Sequence, residues 1–452
     1  MARIVAVVAV LLGTWVGWAA AEDAMPVPRI VKLYVDPAKG NDANAGTAEK
    51  PLATVAKALA LAVEGQVDVI QLADGKYGAL EITTKFPRQV ILAAGPAPAA
   101  PVQPLAPGGA TVVAPQTKPL FERIAITDAE NVTLSGLHFS VPDAKTEKHV
   151  YVSVSKSKHI VLRDLQIAGE VNQDWAAKKS IGLGVGDSED VTVAGGFIRY
   201  TQFGVTVSRV KKISVSNMDI GPFREDGVRF KNCDGVVCEN CHIHDAHKTK
   251  AEHCDGIQMI YWSHNVVLRN NHIHNVNQGI GAFSEDKEKR RNWRIEGNLI
   301  YNIYNPNTMS IYDAESPVIV NNTLPQAGVN LRGTTGAIVK GNIMAFPGAA
   351  TSSEAVKEED YNLFMSLGNT KEKPRGSHDL VSVDPQFVDA AKFDFRLKSG
   401  SPAIDSGTAE FARGADLQGR KPHDVPEVKN TGAGEPAYVD RGALEYVPPE
   451  KK

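Results

Sequence analysis

The chain has little cysteine, few aromatic residues and no excess of basic charge. Cysteine accounts for 4 of its 452 residues, too few to staple a chain of this length, and aromatic residues make up 7%. Lysine and arginine together number 49 against 52 aspartates and glutamates, which gives a formal net charge of −3. A general nucleic-acid binder needs a basic surface, so this balance argues against nucleic acid as a partner.

The chain lacks long hydrophobic runs after its first 21 residues. In that later part, no stretch approaches the ~20 apolar residues of a transmembrane helix. The one long run extends from Ile4 to Trp18, after a basic residue and before three alanines. This order predicts a signal peptide at 1–21, cleaved before Glu22, with an uncleaved signal anchor as the alternative. We therefore expect a secreted or periplasmic monomer without stable membrane insertion after cleavage.

A repeated pattern dominates the remaining sequence. Nine segments alternate apolar and polar residues, and each starts 19 to 31 residues after the one before. The period of two and the β-branched residues predict strands, and the leucine-rich repeat signature is absent. The fold class is therefore all-β, a parallel β-helix of about nine to eleven coils. The segments begin at Val132, Ile160, Val191, Ile213, Val236, Val266, Trp293, Val318 and Ala337.

Asparagine or glycine recurs near the fifth or sixth position of these segments. Such a position predicts a turn in which stacked asparagine side chains bond to the backbone and to each other. The residues concerned are Asn217, Asn240, Asn270, Asn271, Gly297, Asn298, Asn322 and Asn342.

A second family of strands lies between these segments. Its alternation predicts an inward row of Ile181, Val205, Val228, Ile257, Ile280 and Ile311. The adjacent positions then point outward in one row of Thr206, Arg229, Gln258 and Gly281. The next outward row is Ser208, Lys231, Ile260 and Phe283.

Both ends of the chain carry capping signals, which an open β-helix end needs to cover unpaired edges. "LYVDPAKGNDANAGTAEKPLATVAKALALA" predicts a strand, a loop and a helix capped by Thr54. This segment, "DVIQLADGKY" and the tail "VDPQFVDAAKFDFRLKSGSPAIDSG … DRGALEY" resemble right-handed parallel β-helix proteins of the pectate-lyase-like superfamily. The resemblance implies an N-terminal cap and first coils at 22–120, a β-helix core with groove loops at 121–350 and a C-terminal coil or cap at 351–452.

One coil carries an insertion. The passage between strands is direct at Asn277 and Gln278, whereas the preceding coil holds seven extra residues there, Lys248 to Cys254. Solenoids expel insertions as loops on one face, often the binding face. With longer coils at 170–179 and 284–292, the insertion predicts loops that wall a groove.

Reactive side chains converge on the coils at 226–280. His253, beside Asp255, is the strongest candidate base, and the other candidate catalytic residues are Lys250, Arg229 and Tyr261. The candidate substrate contacts are Lys231, Gln258, His247, His244, His274 and Lys248. Asp226, Asp255 and Glu252 are candidate calcium ligands.

Structural roles compete with these assignments. Asp226 and Asp255 each precede glycine and are candidates for caps of Asp-Gly turns. The rows of His242 with His272, and of His244 with His274 and Tyr301, are equally candidates for aromatic ladders on a strand face. Lys248 and Lys250 lie in a polar loop and are candidates for solvated surface residues.

The cysteines follow the spacing C-x4-C-x2-C-x12-C with histidines nearby, which loosely suits zinc. Cys238 aligns with apolar core positions of the other segments, which argues against zinc. Cys241 occupies a turn position and is a candidate disulfide partner of Cys254.

The resemblance implies an enzyme that acts on an acidic polysaccharide, either a lyase or a C5-epimerase. Such enzymes neutralise the uronate carboxylate with arginine or calcium and abstract the C5 proton with a base. The Asp-Pro-His-Asp motif of alginate epimerases is absent, and so is the arginine that related lyases place one coil after Lys231. A glycoside hydrolase that uses Asp226 and Asp255 and a non-catalytic polysaccharide-binding protein are the alternatives.

Overall fold

The computed structural model describes residues 31–65, 67–95, 118–140, 149–169, 179–247, 253–282, 288–304, 308–349, 354–368, 376–411 and 414–448. The predicted signal peptide at 1–21 lies outside these ranges, as do Lys248, Lys250, Glu252 and Phe283. Within them, no helix has the length and apolar character that a membrane span requires.

Strands lie in three rows, and within each row neighbours pair in parallel. The first row contains Gly75–Ile82, Pro119–Thr127, His149–Ser155, Ser180–Gly186, Phe203–Ser208, Val228–Lys231, Asp255–Ile260, Gln278–Ala282, Met309–Ile311, Val329–Asn330 and Gly348–Ala349. The second row contains Lys32–Val35, Val69–Leu72, Lys85–Ala94, Glu130–Ser135, Lys158–Ala168, Glu189–Arg199, Lys211–Ser216, Asp234–Glu239, His264–Arg269, Arg290–Glu296, Val318–Val320, Ala337–Lys340 and Val356–Asp360. The third row contains His138–Phe139, Asp219–Ile220, His242–His244, His272–Val276, Leu299–Ile303, Thr323–Leu324, Ile343–Met344, Leu363–Phe364 and Leu380–Val381.

These rows form a right-handed parallel β-helix, as the repeat and the resemblance predicted. Two long strands, Lys158–Ala168 and Glu189–Arg199, run from the second row into the third. A short strand, Ala314–Glu315, pairs with the start of Arg290–Glu296. From Pro119–Thr127 to Leu363–Phe364, each coil therefore presents one segment of strand to each of three faces.

The predicted register of the first row is confirmed through the central coils. The paired residues run Val205, Val228, Ile257 and Ile280 in the buried interior. The outward residues pair as Thr206, Arg229, Gln258 and Gly281, followed by Ser208, Lys231 and Ile260.

The ends of the inward row differ from the prediction. Leu183 pairs with Val205 in place of Ile181, and Met309 takes the position predicted for Ile311. Each error is two residues, which keeps the side chain on the same face of a strand. Period-two alternation fixes the face, but it does not distinguish registers that differ by two.

The predicted asparagine stack is present at one corner of the coil. It consists of five buried residues, Asn271, Asn298, Asn322, Asn342 and Asn362. Within the stack each Nδ2 donates to Oδ1 of the next residue at 2.9–3.0 Å, and the same Oδ1 atoms accept backbone N–H groups. Asn270 and Gly297, which precede two members of the stack, have left-handed backbone, and so do Asn217 and Asn240 in earlier coils.

Both ends of the solenoid are covered. The helix Val55–Glu64 begins after Thr54, whose Oγ1 accepts from the backbone N–H of Lys57 at 3.2 Å, as predicted. Its buried residues belong to the core of the first coils. At the other end, Arg441 donates to the backbone oxygen of Asn362 at 2.7 Å. The tail also contains an antiparallel pair, Phe387–Asp389 with Asp394–Leu397, joined by the 3-10 helix Ala390–Lys392.

Candidate active site

Asp226 and Asp255 occupy neighbouring coils at the point where the chain enters the first row. A side chain on the following residue, Gly227 or Gly256, would place its Cβ 2.4 Å from an isoleucine methyl of the third row. These glycines are therefore required by packing. Neither has the left-handed backbone of Gly235, the glycine of the Asp234-Gly235 pair, whose φ is 74°. The interpretation of the two aspartates as turn caps is accordingly wrong.

Asp226 is buried and held by a guanidinium. Arg229 donates from Nε to Asp226 Oδ2 at 2.7 Å, and its Nη2 lies 2.5 Å from the same oxygen. The other oxygen, Oδ1, accepts the backbone N–H of Asp255 at 3.1 Å. The Arg229 guanidinium carbon lies 4.1 Å from the ring centre of Phe203, which fixes the plane of the guanidinium.

Asp255 is also buried and faces His253. Nδ1 of His253 is 2.8 Å from Oδ1 of Asp255, and the His253 side chain is 43% exposed whereas that of Asp255 is 0% exposed. A carboxylate at Nδ1 holds that nitrogen in its N–H form and leaves Nε2 as the atom that can accept a proton. The pair therefore presents a proton acceptor at the surface with its partner beneath it.

Burial dominates the electrostatics of this cluster, which we call the carboxylate cluster: Asp226, Arg229, His253 and Asp255. Burial raises the pKa of Asp226 to about 7, an effect that Arg229 opposes and Asp255 reinforces. Burial likewise raises the pKa of Asp255, against the effect of His253. The hydrogen bond to Asp255 raises the pKa of His253. Perturbed carboxyls beside a histidine are typical of functional sites.

Histidine–aspartate pairs occur elsewhere on this solenoid, so pairing alone does not mark a site. His159 contacts Asp190, and His378 contacts Asp360, each at 2.8 Å through Nδ1. In those pairs the aspartate side chains are 32% and 22% exposed. Asp255 differs because it has no exposed surface and lies one coil from a second buried carboxylate.

Other predicted residues lie next to the carboxylate cluster on the first row. Lys231 points outward with its Nζ 5.0 Å from the ring centre of Tyr261, which is exposed. Gln258 pairs with Arg229 in the register, and its Oε1 is buried without a hydrogen-bond partner among the described residues. His247 is exposed on the chain that leads out of the third row.

The residues present do not fit calcium. Both oxygens of Asp226 already have partners, since Oδ2 accepts from the Arg229 guanidinium and Oδ1 accepts from the backbone N–H of Asp255. Asp255 in turn faces His253. Calcium prefers six to eight oxygen ligands and no competing positive charge. The third predicted ligand, Glu252, lies outside the described residues. We therefore derive no step through calcium.

His244 and His274 lie in a different place from the carboxylate cluster. The third row pairs His242 with His272 and His244 with His274, and Tyr301 follows His274, as the repeat predicted. We call the group of Asp219, His242, His244, His272 and His274 the histidine cluster. Its rings stack, with centroids 4.1 Å apart for His242 and His244 and 4.9 Å apart for His242 and His272.

The histidine cluster has members that the sequence did not suggest as functional. Asp219 Oδ1 lies 3.1 Å from His242 Nδ1 and 3.0 Å from His244 Nε2, while Asp219 Oδ2 lies 2.5 Å from Arg199 Nη2. The signal was available, because "HIH" occurs at 242–244 and again one coil later at 272–274. Asp219 precedes this motif by one further coil and carried no signal of its own.

Burial and hydrogen bonding shift the pKa values of these histidines in opposite directions. Burial lowers the pKa of His274 to about 4 and that of His272 well below its usual range. Burial acts in the same direction on His244, but its hydrogen bonds to Asp219 and Asp245 prevail and raise its pKa to about 9. Among these three histidines, His244 is therefore the one whose charged form is favoured at neutral pH.

All four cysteines are buried, and none of them forms a disulfide bond with another described cysteine. Cys238 has no exposed surface, as expected of a core position. The candidate disulfide between Cys241 and Cys254 does not form, because Cys241 Sγ lies 3.3 Å from the backbone oxygen of Glu239 and Cys254 Sγ lies 3.0 Å from that of Arg224. The two thiols therefore contact backbone oxygens in different parts of the chain.

A cleft of about 510 Å³ lies between the second row and the C-terminal segment. Its charged residues neutralise one another, since Arg269 pairs with Glu239 and Arg294 with Glu296, each at 2.5 Å. The cleft contains none of the predicted site residues.

Comparisons with known proteins agree with the fold. The family model described as "Right handed beta helix region" matches residues 123–290. No curated protein matches the chain. The right-handed parallel β-helix fold that the sequence predicted is confirmed.

Solved structures with a similar fold include the Dettilon tailspike protein gp208, at 14% identity over 77% of this chain and 68% of that one, with a TM-score of 0.47. A rhamnogalacturonan lyase is similar at 14% identity over 88% and 96% of the two chains, with a TM-score of 0.37. An alginate lyase from Paenibacillus sp. str. FPU-7 is similar at 14% identity over 66% and 94%, with a TM-score of 0.40. These likenesses are of fold and identify no reaction.

Proposed function

We propose that this protein is an exported carbohydrate-active enzyme that abstracts the C5 proton of a uronic-acid residue in a polysaccharide, as a lyase or a C5-epimerase. The observation that carries the proposal is the exposed His253 imidazole held by the buried Asp255 at 2.8 Å, one coil from Arg229 and Lys231. The likeness of the chain ends to pectate-lyase-like proteins supports a polysaccharide substrate.

The base is Nε2 of His253. Asp255 keeps the proton on Nδ1 and stabilises the imidazolium that forms when Nε2 takes the C5 proton. Because Asp255 is buried, its charge is not screened by water, and the stabilisation is stronger than in an exposed pair. Lys250 stays a candidate catalytic residue and Lys248 a candidate substrate contact, and both lie outside the described residues.

Recognition of the uronate carboxylate falls to Lys231, with Arg229 as its neighbour. The guanidinium of Arg229 is already engaged by Asp226, and Glu225 Oε2 lies 3.8 Å from Arg229 Nη2. In the described part of the chain, no carboxylate lies within 4.0 Å of Lys231 Nζ, so its charge is available to a ligand. A cation at the carboxylate lowers the cost of forming the carbanion at C5.

In the lyase reaction the C5–H bond breaks, a C4–C5 double bond forms and the C4–O bond breaks. The C5 proton goes to His253, and the electron pair of the broken C–O bond stays on the leaving oxygen. Tyr261, exposed beside Lys231, is the donor that protonates that oxygen. In the epimerase reaction the C4–O bond stays intact, and C5 receives a proton on the opposite face.

A hydrolase that uses Asp226 and Asp255 is less well supported. Glycoside hydrolysis needs two carboxyls that reach the glycosidic bond. Both side chains have no exposed surface, and Asp226 is bound to Arg229. The exposed group of the His253–Asp255 pair is an imidazole and not a carboxyl, which supports the lyase or epimerase over the hydrolase.

The proposal is tested by incubating the purified protein with alginate, pectate and glycosaminoglycans, each in a separate reaction. New ultraviolet absorbance from unsaturated uronides supports the lyase, and altered C5 configuration without chain cleavage supports the epimerase. New reducing ends without that absorbance would support a hydrolase instead. Binding to a polysaccharide without any chemical change would overturn the catalytic proposal and favour a binding protein.

A further inference from the structure

The two "HIH" segments bring imidazole nitrogens together on the third row. Nε2 of His242 and Nε2 of His274 are 2.9 Å apart, and ligand nitrogens of His242, His272 and His274 all lie within 4.8 Å of one another. Two of these residues come from one coil and the third from the coil before it. Three imidazole nitrogens this close together are a donor set that suits a transition metal.

The spacing is close to what a bound ion requires. Two imidazole nitrogens on one tetrahedral zinc ion, each at about 2.0–2.1 Å, are about 3.3 Å apart. The observed 2.9 Å between His242 and His274 needs only a small side-chain rotation to reach that separation. Without an ion, a single proton between the two nitrogens satisfies them, and the ion would take the place of that proton.

Asp219 contacts His242 at Nδ1, the ring nitrogen that does not face His274. Its Oδ1 is 3.1 Å from His242 Nδ1, which keeps the proton on Nδ1 and directs the lone pair of Nε2 toward His274. A carboxylate that orients a histidine through its other nitrogen is the usual outer partner in protein metal sites. Asp219 is itself fixed by Arg199 at 2.5 Å and by His244 at 3.0 Å.

Asp219, His242 and His244 also form a group whose ligand atoms lie within 4.8 Å of one another. That group is the weaker candidate, because Oδ1 of Asp219 is shared by both histidines and Oδ2 is taken by Arg199. His244 Nδ1 is in turn bound to Asp245 at 2.8 Å. These contacts would have to break before an ion could bind there.

We propose that His242, His272 and His274 bind a divalent first-row transition metal such as zinc or copper, with Asp219 as the positioning residue for His242. The ion would join two successive coils of the third row. His242 is 31% exposed, which gives the ion an entry path. His272 already has one contact, because its Nε2 lies 3.0 Å from the Tyr301 hydroxyl. This site is independent of the sugar chemistry proposed for the carboxylate cluster.

The test begins with the full chain stripped of metal by a chelator and titrated with zinc chloride by calorimetry. We expect about one ion per chain, and we expect His242→Gln and His274→Gln each to weaken binding more than about 100-fold. The matched control is His378→Gln, which removes an exposed histidine outside the cluster and should leave the affinity unchanged. Asp219→Asn should weaken binding about 10- to 100-fold.

Copper provides a spectroscopic readout of the ligand atoms that can be obtained from the wild-type chain itself. The paramagnetic resonance spectrum of the wild-type chain with one equivalent of cupric ion should show coupling to imidazole nitrogens, and Asp219→Asn should keep that coupling. The proposal is overturned if wild-type chain shows no nitrogen coupling, or if it binds zinc no more tightly than His242→Gln does.

Discussion

The Nδ1 atom of His253 lies 2.8 Å from an oxygen of Asp255, a carboxylate with no exposed surface. The two residues are separated by one position, at the point where the 248–254 insertion ends and the first-row strand begins. This arrangement fixes the tautomer of an exposed imidazole from inside the solenoid.

Replacing His253 by glutamine should remove the base without removing bulk. We expect the rate of C5 proton abstraction to fall about 10²- to 10⁴-fold, the usual contribution of a positioned general base. The matched control is His378→Gln, because His378 makes the same 2.8 Å contact with an aspartate on another coil. Equal activity of the two variants would remove His253 from the mechanism.

Replacing Asp255 by asparagine should move the pH dependence of catalysis. Asp255 raises the pKa of His253 above its ordinary value of 6.5, so the wild-type base is protonated up to a higher pH than a free histidine. Without the carboxylate, the acid limb of kcat/KM should shift to lower pH, while the maximal rate falls. A pH profile of both proteins measures this, and a limb that stays in place or moves to higher pH would contradict it.

Asp226 should make stability depend on pH. Its folded-state pKa is raised from 3.8 to about 7, so its stabilising contribution is complete below 3.8 and is lost as pH rises through about 7. Asp226→Asn lacks this titration. The free energy of unfolding of the wild type, minus that of the variant, should therefore fall between these pH values in urea denaturation. A difference that rises with pH would show that Arg229 outweighs burial and keeps Asp226 ionised.

The asparagine stack should carry measurable stability. Asn322 has no exposed surface, donates to Ile295, Val320 and Asn342, and accepts the backbone N–H of Asn298 at 3.0 Å. Asn322→Ala leaves buried polar groups unpaired, which costs about 1–3 kcal/mol for each group. The control is Asn330→Ala, which removes one bond of 3.1 Å to the Tyr312 hydroxyl and should cost less. Equal unfolding free energies for the two variants would contradict a structural role for the stack.

The fold was predictable because a solenoid repeats its constraints. Each coil restates the same alternation, so the rows of Arg229 with Gln258 and of His242 with His272 followed from sequence spacing. The errors in register arose because the alternation does not distinguish positions that are two residues apart. Ile181 and Ile311 were misplaced by two residues, a shift that preserves the buried face.

The candidate site was predictable in its location more than in its chemistry. Sequence spacing placed Asp226 and Asp255 one coil apart, but it treated their glycines as turn formers. Only packing against isoleucines of the third row shows why those positions are glycine, and only burial shows that the carboxylates face inward. Asp219 was missed because nothing in its own sequence marks it, and only the register that pairs it with His242 brings it to the histidines.

The central claim is tested most directly by following the C5 proton itself. The protein is incubated in deuterium oxide with each acidic polysaccharide, and the C5 position is monitored by nuclear magnetic resonance. We predict loss of the C5 proton, with either deuterium at C5 or an unsaturated chain end, in the wild type and in His378→Gln but not in His253→Gln. Retention of the C5 proton in the wild type on every uronate polymer would contradict the account.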